Sequence, residues 1–376
     1  MAGYIFSLDN KTSLKNCLRS GVYSTNLTLP KNNIWKIHHE GTFTDYLSMK
    51  EGDNVYFFID RKVYGIGELT NIKGDCKFLN YPSADIPIVP DYDALKEAML
   101  LNKDKDKDNV KNRCVCIFKP APYFFENGID MDDILSSNPR SFRMLRAFWK
   151  LSFIKIDDEE NKALKNILLK RNEKYILENK GRIQFDKSLQ KEIENKINDN
   201  YLMGSGNILK YAANKTSIRH EMAIESGIVD TIANDENSTF GQWDYISHQV
   251  IASPFKPIDY MDKMDVFGYR FINGFDTISK YLIVEIKKGK ANREAVNQVM
   301  KYVDWVNYAF GDYSMINAFL VAYEFDADTV AYKNEVCKRN YTLGRRPAVP
   351  EEWTNIKLIK YRYDSVAGKI HFEEVK

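Results

Sequence analysis

The stretch from 259 to 306 holds acidic, basic and amide side chains at spacings that could build a hydrolytic site. Asp265 opens the predicted strand MDVFGYRFI, and Glu285 and Lys287 lie near the end of the predicted strand YLIVEIKK. Two carboxylates suit a hard divalent ion such as Mg²⁺, which prefers oxygen ligands and keeps several waters. An adjacent lysine can orient or deprotonate an attacking water and balance phosphate charge. These residue types predict metal-assisted hydrolysis of a phosphodiester.

The two predicted strands must bring these groups together. The two-residue period of a strand places Glu285 and Lys287 on one face. The other face is apolar and is expected in the core: Leu282, Val284 and Ile286. If the strands pair antiparallel around a turn near residue 276, position 265 falls opposite about residue 287. The three functional side chains would then converge at one end of the hairpin.

Two predicted helices supply further candidates. Gln298 and Tyr302 are four residues apart on the helix ANREAVNQVMKYVDWVNYAF, so they form one polar row. That row lies beside a stripe of residues at core-facing spacing: Val296, Val299, Val303 and Val306. Upstream, a helix predicted over 217–232 carries Glu221 and Glu225, either of which could complete a metal site.

The pattern D-x19-E-x-K, with a glutamate-bearing helix before it and Q-x-x-x-Y after it, resembles the PD-(D/E)XK nuclease superfamily. More closely, MDVFG…LIVEIKKGKANREAVNQVMKYVDWV is similar to the NucS/EndoMS branch of DNA endonucleases. The similarity is close over about fifty residues and extends in element order over about 170. One departure is Met264, which stands where the superfamily name places a proline.

The resemblance implies a role for each matching residue. Asp265 and Glu285 would be metal ligands, and Lys287 would be the catalytic lysine. Gln298 and Tyr302 would be an accessory pair. Glu221 would be the helix carboxylate and third metal ligand, because H-E-x-x-I resembles the E-x-x-L helix of the family better than Glu225 does. The implied cofactor is Mg²⁺, with Mn²⁺ as a substitute.

The N-terminal part reads as short strands with turn signals: GYIFSL, DNVYFFI, VYGIGEL and RCVCIF. The segments GVYST (21–25), MKEGD (49–53) and GIGEL (65–69) resemble the EVE/YTH group of PUA-like domains. In that group the first motif builds part of a pocket for a modified base. A flipped base needs aromatic faces and edge hydrogen bonds. The resemblance implies these base-binding residues: Tyr23, Ser24, Thr25, Phe78 and Tyr81.

A different interpretation of the N-terminal tyrosines is that they pack the barrel interior. Trp35 and Trp149 are expected in the core. Three arginines at three-residue spacing, Arg140, Arg143 and Arg146, would either contact phosphates or pair with the acidic run 157–160. The alternating charges of 103–109 predict a solvated loop.

The composition limits the kinds of partner. With 54 basic and 52 acidic residues the net charge is +2, which excludes a polybasic protein that binds polyanions by bulk attraction. Binding of nucleic acid must then rely on pockets and local basic residues, such as the cluster Lys287, Lys288, Lys290 and Arg293. No apolar run reaches the ~18 residues of a membrane span.

The cysteines and the N-terminus bear on the compartment. Five scattered cysteines do not form a disulfide framework, and Cys114 and Cys116 are expected as small buried residues of one strand. The first residues lack the pattern of a secretory signal. We therefore expect a reduced, cytoplasmic protein.

The expected architecture is a two-domain α+β and α/β chain. A PUA-like β-barrel with helices would occupy 1–155, a helical connector 156–205, and a restriction-endonuclease-like α/β/α domain with a mixed sheet 206–376. The segment NYLMGSGN at 200–207 has the turn residues of a boundary.

The expected function is a metal-dependent DNA endonuclease, directed to double-stranded DNA with a modified or flipped base and serving restriction or anti-phage defence. One alternative has the same chemistry directed to mismatches, branches or single-stranded ends. Another is a nucleic-acid-binding protein without catalysis, and a third is a role on RNA. Cutting both strands would require two active sites, which favours a homodimer.

Overall fold

The chain folds into two compact units, Met1–Gly204 and Ser205–Lys376. The computed structural model describes residues 1–28, 32, 34–102, 107–146, 153–235, 237–252 and 262–375. The division between the units falls inside the turn-rich segment 200–207. Each unit mixes helices with strands, so the chain is a mixed α/β protein.

The first unit contains short strands and helices. Its strands are β1 Gly3–Ser7, β2 Val22–Asn26, β3 Asn54–Ile59, β4 Lys62–Leu69, β5 Lys77–Leu79, β6 Asn112–Pro120, β7 Ile129–Asp130 and β8 Phe153–Ile156. Its helices are α1 Lys11–Ser20, α2 Ile37–Leu47, α3 Tyr92–Leu95, α4 Met131–Ser137, α5 Asp158–Arg171, α6 Glu173–Leu177 and α7 Ser188–Lys196. Short 3₁₀ turns occur at Lys107–Lys111 and Asp199–Tyr201.

One sheet organises the first unit, with the strand order β2-β6-β4-β3-β1-β8 among the described residues. β3 and β4 pair antiparallel from Ile59–Lys62 outwards and form a hairpin. Its turn residues Asp60 and Arg61 have φ of 49° and 60°, the left-handed backbone of a tight two-residue turn. The strand faces are aromatic, and Phe6, Phe57 and Phe118 are fully buried.

The helical segment after residue 156 packs into this first unit. Leu164 and Leu168 on α5 are fully buried. The side chain of Asn161 accepts a hydrogen bond from Tyr56 Oη at 2.7 Å. Gln190 Nε2 on α7 donates to the backbone carbonyls of Gly21 and Phe118. Buried side chains and hydrogen bonds therefore join these helices to the strands of residues 1–155.

Several sequence expectations for the first unit can be compared with the structure. Trp35 is buried against Phe43, as expected of a core residue. Cys114 and Cys116 are fully buried free thiols, as predicted. Trp149 and positions 103–106 of the charged loop lie outside the described residues.

Of the three arginines Arg140, Arg143 and Arg146, the central one pairs with the acidic run 157–160, as one of the two alternatives predicted. Arg143 forms an ion pair with Asp157. The backbone amides of Met144 and Leu145 donate to Glu160. Arg143 is therefore ion-paired within the first unit. The alternative in which all three arginines contact phosphates does not hold for this residue.

The second unit contains longer elements. Its helices are α8 Gly206–Ala212, α9 Glu221–Asn234, α10 Arg293–Phe310 and α11 Ala327–Val336. Its strands are β9 Ala213–Asn214, β10 Ser217–Ile218, β11 Tyr245–Ile251, β12 Lys263–Phe271, β13 Ile278–Ala291, β14 Ile316–Phe325, β15 Arg339–Leu343, β16 Val349–Trp353, β17 Ile356–Asp364 and β18 Lys369–Glu374.

Its main sheet is mixed, with the order β11-β12-β13-β14-β17-β18 in the described residues. β11, β12 and β13 pair antiparallel, whereas β14 pairs parallel to β13 after the crossover through α10. The predicted valine stripe of α10 is fully buried, which explains how this helix is held on the sheet. Asn292 caps its N-terminus by accepting from the amide of Ala295.

Helix α9 begins later than predicted. Ser217 and Ile218 form a short strand with β9, and the helix starts at Glu221 instead of residue 217. Ser217 and Ile218 are used in strand pairing, so periodicity alone misplaced the boundary. None of the helices in the described residues combines the length and apolar character needed to cross a membrane.

Candidate active site

The hairpin of β12 and β13 brings Asp265 next to Glu285. The observed register pairs Val266 with Val284, so Asp265 lies at the level of Glu285. The predicted register, with position 265 opposite about residue 287, was therefore wrong by two residues. Asp265 Oδ2 accepts from the backbone amide of Ile286 at 2.7 Å. This bond fixes the Asp265 carboxylate against β13 next to the Val266–Val284 pair, where the pairing of β12 with β13 ends.

Glu285 and Lys287 point to the same site, as the strand period predicts. Lys287 Nζ lies 2.5 Å from Glu285 Oε1 and donates to Gln298 Oε1 at 3.2 Å. Glu285 is 1% exposed, and its second oxygen, Oε2, is buried and has no hydrogen-bond partner among the described residues. A buried carboxylate oxygen without a donor is costly, so this atom is suited to face a cation.

The polar row of α10 reaches the same site. Gln298 Nε2 donates to Tyr302 Oη at 2.9 Å, and Tyr302 Oη donates to the backbone carbonyl of Lys263 at 2.8 Å. This chain orients the Gln298 amide, with its oxygen towards Lys287 and its nitrogen towards Tyr302. The predicted accessory pair is thus brought together with Lys287.

Helix α9 presents both of its glutamates to this region. Glu221, the first residue of the helix, accepts from the backbone amide of Lys288 at 3.1 Å. Glu225 lies deeper, at 1% exposure, and accepts from Gln249 Nε2 at 2.8 Å. His248 Nδ1 is 3.2 Å from the other oxygen of Glu225. Glu221 therefore borders the site, and Glu225 lies inside it.

Gln249 is a site residue that the sequence did not reveal. In the pairing of β11 with β12, His248 pairs with Val266 and Val250 pairs with Met264. Gln249 lies between these two pairs and is not itself part of the ladder. Its φ of 53° is left-handed, which is unusual for a residue with a side chain. The side-chain amide of Gln249 donates to Glu225 and lies 3.3 Å from Asp265 Oδ1. The only sequence signal is the polar interruption Ser-His-Gln in an apolar strand.

Burial and like charge change the acidity of this cluster. Burial raises the pKa of Asp265 well above its usual range, and Glu285 and Glu225 raise it further. Burial also raises the pKa of Glu285 to about 7, although Lys287 opposes the change. For Lys287, burial lowers the pKa but Glu285 and Asp265 outweigh it, so the net direction is upwards. These buried carboxyl groups thus hold their protons more tightly than in water, and a nearby cation would favour their ionised forms.

The donor set fits a hard divalent cation in its chemistry. Asp265 and Glu285 offer carboxylate oxygens, and one Glu285 oxygen has no donor. In the described residues no group of three or more His, Cys, Asp or Glu side chains is placed to hold a metal ion. An ion with few protein ligands that retains its waters matches this arrangement, which is the usual mode of Mg²⁺.

The basic cluster after the site is partly neutralised. Lys290 pairs with Asp326 at 2.9 Å, and Arg293 forms an ion pair with Asp328. Lys288 is exposed beside Lys287. Of the four predicted basic residues, two are therefore held by acidic residues around the start of α11.

The residues predicted to bind a base lie mainly in the interior of the first unit. The Tyr23 ring stacks on Phe6 with centroids 4.1 Å apart and is 8% exposed. Thr25 Oγ1 and Tyr46 Oη share a hydrogen bond of 2.7 Å. Phe78 and Tyr81 are fully buried, and Tyr81 Oη donates to a backbone carbonyl.

This packing corrects the predicted pocket. Phe78 belongs to a core cluster with Val115 and Ile117, so its ring offers no free face to a base. Tyr23 and Tyr81 pack in the interior of the first unit, which is the alternative interpretation given by the sequence. Ser24 is the exception, since it lines a cavity of about 250 Å³ together with Arg19 and Asp186.

Comparison with known proteins gives a limited similarity. No protein-family model matches the chain, and no curated protein matches it. A solved structure described as a repair endonuclease from Pyrococcus abyssi aligns over 34% of this chain and 46% of its own, at 21% identity and a TM-score of 0.22. The alignment thus spans less than half of either chain.

Proposed function

We propose that the second unit is a metal-dependent endodeoxyribonuclease of the PD-(D/E)XK type. The observation that carries the proposal is the convergence of Asp265, Glu285 and Lys287 from one hairpin with the Gln298–Tyr302 pair of the following helix. The order helix, three antiparallel strands, helix and parallel strand supports it.

Asp265 and Glu285 would hold Mg²⁺, or Mn²⁺ in its place, with Glu221 as the carboxylate from the helix. When bound, the ion neutralises charge developing on the phosphate and makes a bound water more acidic. The buried excess of carboxylates is what such an ion would compensate.

Lys287 would act directly on the reacting groups. Its ammonium group stands 2.5 Å from Glu285 and is oriented by Gln298, so it can donate to the attacking water or to a phosphate oxygen. Tyr302 holds the Gln298 amide in the orientation that this requires. Water would attack phosphorus, and the P–O bond on the opposite side would break as its oxygen leaves.

The first unit would select the DNA. Its sequence resemblance to EVE/YTH-like modules supports recognition of modified DNA and a role in restriction or anti-phage defence. The aromatic wall proposed from Phe78 and Tyr81 is not part of this proposal, because both rings are buried. Cleavage of both strands would call for two copies of the chain.

The catalytic proposal is tested with Asp265→Ala in the full chain. We expect loss of Mg²⁺-dependent DNA cleavage by at least about 100-fold, because a ligand of the reacting site is removed. The matched control is Asp276→Ala, since Asp276 is an exposed carboxylate at the far tip of the same hairpin. Equal cleavage by Asp265→Ala and the wild type would refute the site.

The substrate proposal is tested with a panel of phage DNAs that carry different base modifications, beside unmodified and mismatched duplexes. Faster cleavage of one modified DNA supports selection by the first unit. Preference for the mismatch points to repair, cleavage of RNA points to an RNA-directed enzyme, and equal rates on all duplexes contradict modification dependence.

A further inference from the structure

A separate two-stranded arm extends from the second unit. β15 and β16 pair antiparallel from Arg339–Trp353 to Leu343–Val349, outside the main sheet. The connecting residues are Gly344-Arg345-Arg346-Pro347-Ala348. Every residue from 342 to 352 is exposed. The outer part of the hairpin therefore lies in solvent.

The base of the arm is firmly attached. Arg339 binds Asp304 through two hydrogen bonds, Nε to Oδ1 at 2.8 Å and Nη2 to Oδ2 at 2.9 Å. Trp353 is 3% exposed and donates Nε1 to the backbone carbonyl of Ile316 at 2.9 Å. The Tyr313 ring contacts both Tyr341 and Trp353. These contacts hold the direction of the hairpin relative to the second unit.

Charge is sorted along the arm. Arg345 and Arg346 occupy the free end, and neither forms an ion pair or side-chain hydrogen bond within the described part of the chain. The acidic residues Glu351 and Glu352 lie nearer the base, opposite Tyr341 and Asn340. These two adjacent guanidinium groups form a positive tip, for which the described side chains supply no anion.

We propose that the arm grips the sugar-phosphate backbone of duplex DNA, with Arg345 and Arg346 on phosphate oxygens. This inference rests on the proposed nuclease function. A guanidinium binds phosphate through two parallel hydrogen bonds. A two-stranded ribbon also has the width that the major groove admits. The positive tip and the negative base favour insertion of the tip first.

The position of the arm fits this partner. Ile316, where Trp353 is anchored, pairs with Tyr281 on β13, four residues before Glu285. Four strand residues span roughly 13 Å. A duplex seated at the active site would pass this anchor within one helical turn of roughly 34 Å. The arm would therefore contact phosphates outside the scissile position and would contribute to binding more than to chemistry.

The test compares Arg345→Ala/Arg346→Ala with Arg345→Lys/Arg346→Lys, each in a protein that also carries Asp265→Ala to prevent cleavage. Binding of a fluorescent duplex of two helical turns is measured between about 50 and 200 mM salt. We expect the alanine pair to weaken binding roughly ten- to a hundredfold at low salt. The salt slope should fall by about 2, because two phosphate contacts are lost.

Two controls separate the arm from general effects. The Arg345→Lys/Arg346→Lys protein should keep the salt dependence of DNA binding, because it retains both positive charges. Lys369→Ala removes an exposed charge from the β17–β18 hairpin of the same unit and should leave binding unchanged. With Asp265 restored, the alanine pair should cleave at the wild-type rate once DNA is saturating.

The outcomes distinguish this inference from the proposed function. Wild-type cleavage combined with unchanged binding and salt slope in the alanine pair overturns the arm alone. Loss of a dimer by light scattering, without a change in DNA binding, would make the arm a contact between copies and would also overturn it. A wild-type protein that neither binds nor cleaves DNA overturns both proposals.

Discussion

The side-chain amide of Gln249 lies 3.3 Å from Asp265 Oδ1 and donates to Glu225 at 2.8 Å. This contact depends on the left-handed backbone of Gln249, whose φ is 53°. A non-glycine residue in this region costs about 1–2 kcal/mol. Strand β11 thus holds a strained residue at the point where its amide can link two carboxylates.

Gln249→Ala and Gln249→Gly test this relationship. Both remove the donor to Glu225 and Asp265, so both should lower the cleavage rate by about tenfold, corresponding to a lost charged hydrogen bond. The glycine variant should be about 1 kcal/mol more stable than the alanine variant in urea unfolding, because glycine adopts the left-handed backbone without strain. Equal stability of the two variants would contradict the strain, and wild-type cleavage by both would remove Gln249 from the site.

The raised pKa of Glu285 predicts a pH-dependent stability in the absence of metal. Its pKa is about 7 in the folded chain and 4.5 when unperturbed, so the folded state binds the proton more tightly. Stability from this group is present below pH 4.5 and is lost as the pH rises towards 7.

Thermal unfolding in EDTA measures this loss, and Glu285→Gln provides the comparison because it cannot titrate. We expect the melting temperature of the wild type to fall relative to that of the variant across this pH range. A constant difference between the two would show that Glu285 does not titrate there.

Mg²⁺ should stabilise the wild-type protein. An ion that binds only the folded state at a concentration 100 times its dissociation constant contributes about 2.7 kcal/mol. The melting temperature should therefore rise with Mg²⁺ in the wild type and in Asp276→Ala, but not in Asp265→Ala or Glu285→Ala. A rise in all four proteins would place the ion elsewhere.

The Lys287–Gln298–Tyr302 chain predicts graded effects on cleavage. Lys287→Ala removes the cation of the site and should reduce cleavage by at least about 100-fold with DNA binding retained. Tyr302→Phe removes the acceptor of Gln298 Nε2 and the donor to the carbonyl of Lys263, and it should cost about 1 kcal/mol, or roughly fivefold in rate.

Gln298→Glu refines this test because the side chain still offers an acceptor to Lys287 but no longer donates to Tyr302. Steady-state cleavage assays should place it closer to the wild type than Gln298→Ala. An equal loss for both Gln298 variants would mean that the hydrogen bond to Lys287 is not the one that matters.

Local patterns in the sequence were sufficient for much of the second unit. The apolar strand around Leu282 and Val284 and the valine stripe of α10 are where periodicity predicts them, because burial of one face requires that spacing. The same spacing put Glu285, Lys287, Gln298 and Tyr302 on neighbouring faces. Residue type and period therefore determined which side chains could meet.

Tertiary structure decided the rest. The register of β12 on β13, the left-handed backbone at Gln249 and the start of α9 at Glu221 depend on contacts between distant segments, which a local pattern does not contain. The exposure of the aromatic side chains in the first unit was also decided by the tertiary structure. Tyr23, Phe78 and Tyr81 have the residue types of a base pocket and of a core alike, because an aromatic ring gains by burial in either setting. Only the packing of the first unit shows that these rings are covered by its own side chains.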